Sequence, residues 1–171
     1  MDHILIYTER LKIRKLMISD WRSMREIAED FKKTTYYIYD RPLDTHEDEI
    51  KSITKRFAES DMFFAVLYQK KMIGYIGFHQ NRDAYDLGFC FLSKYQGKGY
   101  AYESCSALIK YLSESKGTQR FTAGTALKNT PARRLLEKLG FTIKGTEKLT
   151  FQKDKNGKDQ FFTGGIFEKQ I

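Results

Sequence analysis

Apolar residues along this chain change period several times, and each change marks a boundary. Leu11 and Ile13 alternate with Lys12 and Arg14, which predicts a half-exposed strand within the stretch from Ile4 to Leu16. The period then lengthens. Trp21, Met24, Ile27, Ala28 and Phe31 share one helical face, with Ser19 placed as its N-cap. The stretch from Lys32 to Asp44 contains TTYYIYDRPLD and has no clear period, which predicts a loop or a short helix. Thr45 and Asp48 resemble a capping box, and Ile50, Ile53 and Phe57 mark the buried face of a second helix. Two strands follow, Met62 to Tyr68 and Met72 to His79, close enough across Gln69-Lys70-Lys71 to form a hairpin. Asn81-Arg82-Asp83 makes the next turn, and Ala84 to Leu92 is a further strand. Gly88 inside it is compatible with a bulge.

That strand runs into a turn holding Gly97 and Gly99, and then into a helix. Ala101, Cys105, Leu108 and Leu112 recur at helical spacing with Ile109 beside them, and Lys116-Gly117 stops the run. A strand, a glycine turn and a helix N-terminus together aim free N–H groups and a positive dipole end at one spot, which suits phosphate. Neither the GxxxxGK[ST] nor the GxGxxG form is present. Gln119 to Thr125 reads as another strand. In the helix after it, Thr130 is placed as cap, Pro131 at the first helical position, Leu135, Leu136 and Leu139 inward, and Gly140 as terminator. Two last extended runs, Thr142 to Gln152 and Gln160 to Glu168, flank Asn156-Gly157, a two-residue hairpin signal. No linker interrupts the alternation, so residues 1–171 read as one domain.

Composition narrows the class. At 171 residues, with 41% hydrophobic and 15% aromatic content, the chain can bury a core and is not disordered. No apolar run is long enough to span a membrane, and the opening MDHILIYTER does not read as a signal peptide. Cys90 and Cys105 read as small buried hydrophobes in a reducing, cytoplasmic compartment. His3, His46 and His79 are scattered without metal-ligand spacing, so no metal is expected. The formal charge of +8 suits nucleic acid, an acidic protein or a polyanionic cofactor. The basic residues form no block, and no helix-turn-helix or basic-aromatic motif accompanies them, so nucleic acid is not an expected partner.

Three strings then identify a family resemblance. Gln96-Gly97-Lys98-Gly99-Tyr100-Ala101 resembles the Q/R-x-x-G-x-G/A signature of the GNAT superfamily of N-acetyltransferases. Thr8, Arg10, Leu11, Arg14, Leu16 and Asp20 match the T-x-R-L-x-L-R-x-L-x-x-x-D opening of its RimJ/RimL branch, with Ile13 for the second leucine. Asn129, Ala132, Leu136, Glu137, Leu139, Gly140 and Phe141 fit the family's N-x-x-[SA]-x-x-x-[LY]-E-x-L-G-F element. The resemblance implies an α/β (α+β) fold: a mixed, largely antiparallel central sheet of about seven strands with about four flanking helices and a splay between strands four and five. It implies acetyl-CoA as co-substrate, with Cys90, Phe91 and Leu92 offering backbone groups to the pantetheine arm. Gln96, Gly97, Lys98, Gly99, Tyr100 and Ala101 would cradle the pyrophosphate, and Asn129 would hydrogen-bond the pantetheine or its neighbouring loop. The segment of Tyr37 and Tyr39 would wall the acceptor site.

Acetyl transfer sets further demands. The acceptor amine must lose its proton before it attacks a thioester, and the leaving thiolate needs a proton or a positive field. Asp86 is the only carboxylate in the apolar part of its strand and is the candidate base, although counting back from Gln96 puts the superfamily position nearer Tyr85. Glu103, in the first helical turn, reads as complementing the dipole. The tyrosine that many GNAT proteins use as the acid is here Leu136, which leaves Ser93 or water. The expected function is acetyl-CoA-dependent N-acetylation of a protein N-terminal α-amine or a small-molecule amine by direct transfer, with a homodimer left open. A non-catalytic acyl-CoA-binding module of the same fold is the alternative.

Overall fold

The computed structural model describes residues 4–60 and 62–171, and in them the alternation resolves into eight strands and four α-helices. His3 lies outside the described residues. In chain order the elements are β1 (Leu5–Tyr7), β2 (Leu11–Lys15), α1 (Trp21–Lys32), α2 (Glu47–Glu59), β3 (Phe63–Tyr68), β4 (Lys71–Asn81) and β5 (Ala84–Phe91). After these come α3 (Tyr100–Lys116), β6 (Arg120–Ala126), α4 (Thr130–Lys138), β7 (Thr142–Lys153) and β8 (Asp159–Gln170). The strand beyond the expected count is β1. The Thr8 N–H donates to the Leu11 carbonyl at 3.0 Å, and this turn divides the opening stretch into a hairpin.

All eight strands form one sheet in the order β1-β2-β3-β4-β5-β6-β8-β7. Every neighbouring pair is antiparallel except β5 and β6. Parallel neighbours need a long crossover, and α3 is that crossover. The parallel pairing covers only Ala84↔Arg120 to Asp86↔Thr122, while β6 continues alongside β8 to Ala126. The sheet therefore opens into a V beyond Asp86, as the expected splay requires.

Each face of the sheet has its own core. On one, Leu87, Phe91, Phe121 and Phe167 pack against Cys105, Leu108 and Leu112 of α3 and Leu136 of α4. On the other, Phe63, Ala65 and Met72 meet Met24 and Ile27 of α1 and Ile50 of α2. Period-two alternation divides β5 between these cores, so Leu87, Phe89 and Phe91 face α3 while Gly88 and Cys90 face α1.

Several local expectations are corrected. Ser19 is not a cap. Residues 18–20 form a 3-10 turn, and the Asp20 carboxylate accepts the Met17 N–H at 2.8 Å and the Arg14 guanidinium at 2.7 and 2.8 Å. The Thr45/Asp48 box does not form, because the Thr45 hydroxyl accepts from Lys32 Nζ and α2 starts after His46. Asn129, not Thr130, caps α4, with Oδ1 accepting the Ala132 N–H at 3.3 Å. The β7–β8 loop is wider than two residues: the Asp154 carboxylate accepts the N–H groups of Asn156 and Lys158, and the Asp154 N–H donates to the Lys158 carbonyl at 2.8 Å to close it. Gly88 makes no bulge, since the β4–β5 register is unbroken from Gly74↔Phe91 to Asn81↔Ala84. The close approach belongs instead to its partner Gly77, where an added Cβ would lie 2.5 Å from the Phe63 ring.

Candidate functional site

The glycine turn leaves its backbone N–H groups unspent. Gly97 and Gly99 have φ of 71° and 82°, left-handed values that a side chain would strain. Among the described residues, the N–H groups of Gly97, Lys98 and Gly99 donate to no protein acceptor. Those of Tyr100, Ala101 and Tyr102 have no intrahelical acceptor by geometry, and Glu103 is the first to find one, at the Gly99 carbonyl. The turn is held from outside. Gln96 Nε2 donates to the Phe91 carbonyl at 2.9 Å, and Arg10 Nη1 donates to the Lys98 carbonyl at 2.9 Å.

The same Arg10 explains the N-terminal string. Glu103 accepts from the Thr8 hydroxyl at 2.6 Å, from the Arg10 N–H at 2.9 Å and from Arg10 Nε at 2.7 Å. Burial alone would raise the Glu103 pKa, but these bonds outweigh it and hold the carboxylate below its ordinary value. Glu103 is thus more than a dipole complement. It bolts the β1–β2 turn to the first turn of α3 and fixes the cradle.

Three clefts meet where the sheet opens. The first runs from Gln96, Gly97, Gly99 and Ala101 along Pro131, Ala132 and Leu135 of α4. The second fills the V between Leu87–Cys90 and Ala123–Ala126. The third, of about 360 Å³, lies on the other face between α1, α2 and the ends of β3, β4 and β5. Phe31, Phe89 and Cys90 line all three, so the junction is at the tip of β5. Beyond Asp86 the β6-facing backbone edge of β5 has no strand partner. A linear ligand lying in the V can therefore take strand-like hydrogen bonds from Leu87 to Phe91.

The site residues named from sequence divide accordingly. Cys90, Phe91, Gln96, Gly97, Gly99, Ala101 and Asn129 line the first cleft. Leu92 is buried in the α1-side core, Tyr100 packs under Arg10 with the guanidinium 4.5 Å from its ring, and Lys98 Nζ stands 5.8 Å from the Tyr95 ring. None of these three lines the first cleft, while the N–H of Lys98 stays among the free donors of the turn. Asn129 spends Oδ1 on the helix cap and keeps its amide N–H groups for the cleft. Tyr37 lines the third cleft and Tyr39 the second. Asp86 sits at the closed end of the V, accepts the Thr122 hydroxyl at 2.8 Å and lines none of these clefts. The hydroxyl of Ser93 donates to Asp30 at 2.7 Å and is already engaged.

The carboxylates on the cleft walls are others. Glu147 reaches the second cleft from β7, and Asp40 lines both the second and the third. Protein mass around the Asp40 carboxyl raises its pKa, against the N–H of Arg41, which donates at 2.7 Å, and the Arg41 charge. The residue is still wetted, as befits a cleft wall. The Gln152 side chain clamps its segment, donating to the carbonyls of Tyr37 at 2.6 Å and Asp40 at 3.1 Å. Asp40 escaped sequence reading because it lies in the patternless stretch, and only contact with β7 fixes where it points. Cys90 is a weak nucleophile. Burial, reinforced by the Asp40 and Asp30 charges, pushes its thiol up to about 12.

The comparisons with known proteins agree with this geometry. The family model described as "Acetyltransferase (GNAT) domain" matches residues 10–142. Uncharacterized N-acetyltransferase YnaD of Bacillus subtilis (strain 168) is 27% identical over 161 residues, covering 92% of this chain and 94% of that protein. The crystal structure of a GNAT-family acetyltransferase from Bacillus anthracis superposes with a TM-score of 0.80 at 25% identity, covering 98% of each chain. RimL, a ribosomal L7/L12 α-N-protein acetyltransferase solved with coenzyme A, shares the fold at a TM-score of 0.82 and 16% identity, again over 98% of each chain.

Proposed function

This chain belongs to the GNAT acetyltransferase family, and we propose that it moves the acetyl group of acetyl-CoA directly to a primary amine held in the third cleft. The observation that carries this reading is the V beyond Asp86 and Thr122, continuous at Cys90 with the glycine cradle on one side and the Asp40 cleft on the other. The free N–H groups at Gly97 to Gly99 and the start of α3 fit a pyrophosphate, and the unpaired edge of β5 fits an amide-bearing arm. Acetyl-CoA supplies a thioester carbonyl. A backbone N–H on the open edge of β5 polarises it, and Asp40 accepts the proton of the amine. The raised pKa of Asp40 makes it a better base than an ordinary carboxylate. The reading favours the cytoplasm, on the strength of two free cysteines, Cys90 and Cys105.

Asp86 is the second reading for the base, because it is the last residue of β5 paired to β6 and so stands where the V begins. About 3.3 Å of rise per residue puts it four residues, or roughly 13 Å, from Cys90, so it would act through water. With Leu136 buried and Ser93 bonded to Asp30, the departing thiolate takes its proton through water, which passes on the amine proton that Asp40 accepted. The test is calorimetry with acetyl-CoA, followed by thiol release across a panel of N-terminal peptides and small amines. Binding together with amine-dependent thiol release is the expected result. Binding without release from any amine would leave an acyl-CoA-binding module.

A further inference from the structure

We propose that the acceptor, within the acetyl-transfer reading above, is a small amine whose far end carries a carboxylate or phosphoryl group on an aromatic or apolar body. The third cleft supplies the argument. Its walls hold Lys32, Arg41 and Arg56 against a single carboxylate, Asp40. Arg10, Arg14, Arg25, Arg120 and Arg133 each have a carboxylate partner. Among the described residues Arg22, Arg41, Arg56, Arg82 and Arg134 form no such ion pair, and of these only Arg41 and Arg56 line the third cleft. Each instead lies over an aromatic ring, Arg41 5.4 Å from the centroid of Phe151 and Arg56 5.9 Å from that of Phe57. Guanidinium groups so placed keep their donor forks free, and a fork matches a carboxylate or phosphoryl group in two-point geometry.

The cleft floor fits the rest of such a molecule. Phe57 stacks on Phe63 with centroids 4.0 Å apart and planes 12° from parallel, and Tyr75 tilts against Phe57 at 6.3 Å. These rings form an aromatic wall of the cleft that Cys90, Arg41 and Arg56 also line. A volume of about 360 Å³ suits a small molecule, within the ordinary range of ligand pockets. Charge gives the direction. An ammonium group entering alone meets three cations and one anion, and a diamine fares worse. An acceptor with a distal anion satisfies the rim while its amine reaches Asp40.

The experiment compares acceptors on one benzyl frame: 4-(aminomethyl)benzoate, its phosphonate analogue, benzylamine and 4-(aminomethyl)benzylamine. Initial rates of thiol release from acetyl-CoA give kcat/KM for each. The expected order is anionic above neutral-bodied above dicationic, with the better anion at least about tenfold over benzylamine. The carboxylate and phosphonate arms decide which anion the rim prefers. Raising salt should shrink the ratio in the wild-type protein. The Arg41→Gln, Arg56→Gln double variant should bring it close to one. A diamine as good as the anionic acceptors, or a ratio insensitive to both salt and the double variant, overturns the inference while leaving acetyl transfer intact. No turnover of any amine, by a protein that binds acetyl-CoA, overturns the acetyl-transfer reading and this inference with it.

Discussion

Replacing Asp40 by asparagine separates chemistry from stability. The substitution keeps the shape of the side chain and an oxygen that can accept the Arg41 N–H, but removes the proton acceptor from the cleft wall. Loss of a positioned general base costs about 10²–10⁴-fold in rate, or about 2.7–5.5 kcal/mol of barrier. Stability should move the other way. The folded protein raises the Asp40 pKa, so its neutral form is favoured by folding and its ionisation opposes folding. That penalty grows as pH rises from the unfolded pKa through the folded one, and asparagine removes it. Asp40→Asn should therefore have an unchanged or slightly higher Tm at neutral pH, with acetyl-CoA affinity intact. The rate defect should narrow as pH rises, because more of the amine is then already neutral. Asp86→Asn should do the reverse. Weakening the bond from Thr122 costs roughly 1 kcal/mol of stability while most of the activity remains. The assay is kcat/KM by thiol release with one competent acceptor from about pH 6 to about pH 9, spanning amine deprotonation, alongside thermal unfolding of both variants. Full activity of Asp40→Asn over that range refutes its assignment. The large loss appearing in Asp86→Asn instead moves the base to the closed end of the V.

Three further expectations follow from the site. Gly99→Val should abolish acetyl-CoA binding by calorimetry, because φ of 82° strains a side chain whose Cβ would also lie 3.2 Å from Arg10 Nη2; unchanged affinity in a folded variant removes the cradle from the argument. Glu103→Gln should lower stability by about 2 kcal/mol at neutral pH through loss of charge-assisted bonds to Thr8 and Arg10. Since the folded pKa of Glu103 is lowered, its contribution is present above the ordinary glutamate value and fades as pH falls through the folded one, so the two proteins should converge in acid; a constant gap in urea titrations argues against the bolt. Cys90→Ala should keep kcat within about tenfold, a barrier change near 1.4 kcal/mol, because a thiol pushed up to about 12 is almost wholly protonated at neutral pH; an acetylated Cys90 detected by mass spectrometry refutes direct transfer.

Local signals sufficed where one segment carries its own instructions. The helical period of Cys105, Leu108 and Leu112, the glycines at 97 and 99, and the stop at Gly117 specify α3 and its cradle without help from the rest of the chain. Alternation and turn residues specify the β3–β4 and β4–β5 hairpins for the same reason. Caps were less legible. Serine and threonine at 19, 45 and 130 fit a local rule, yet Asp20, His46 and Asn129 occupy the cap positions. A competing partner, such as Lys32 for Thr45, wins only once the chain is folded.

The working end of the molecule depends on contacts between distant segments. Thr8 and Arg10 carry a recognisable pattern, but its purpose is visible only across the 93 residues that separate Arg10 from Glu103. The parting of β5 from β6 after three residue pairs depends on how two whole strands cross, which neither strand encodes alone. Asp40 is the sharpest case. Its segment has no period, its neighbours are turn residues, and its place beside Cys90 comes from Gln152 gripping the carbonyls of Tyr37 and Asp40. Periodicity reports which face of an element is buried, because burial repeats along the chain. It is silent about which side chains meet across a cleft, because that depends on the angle between elements and on single hydrogen bonds with no repeat to betray them.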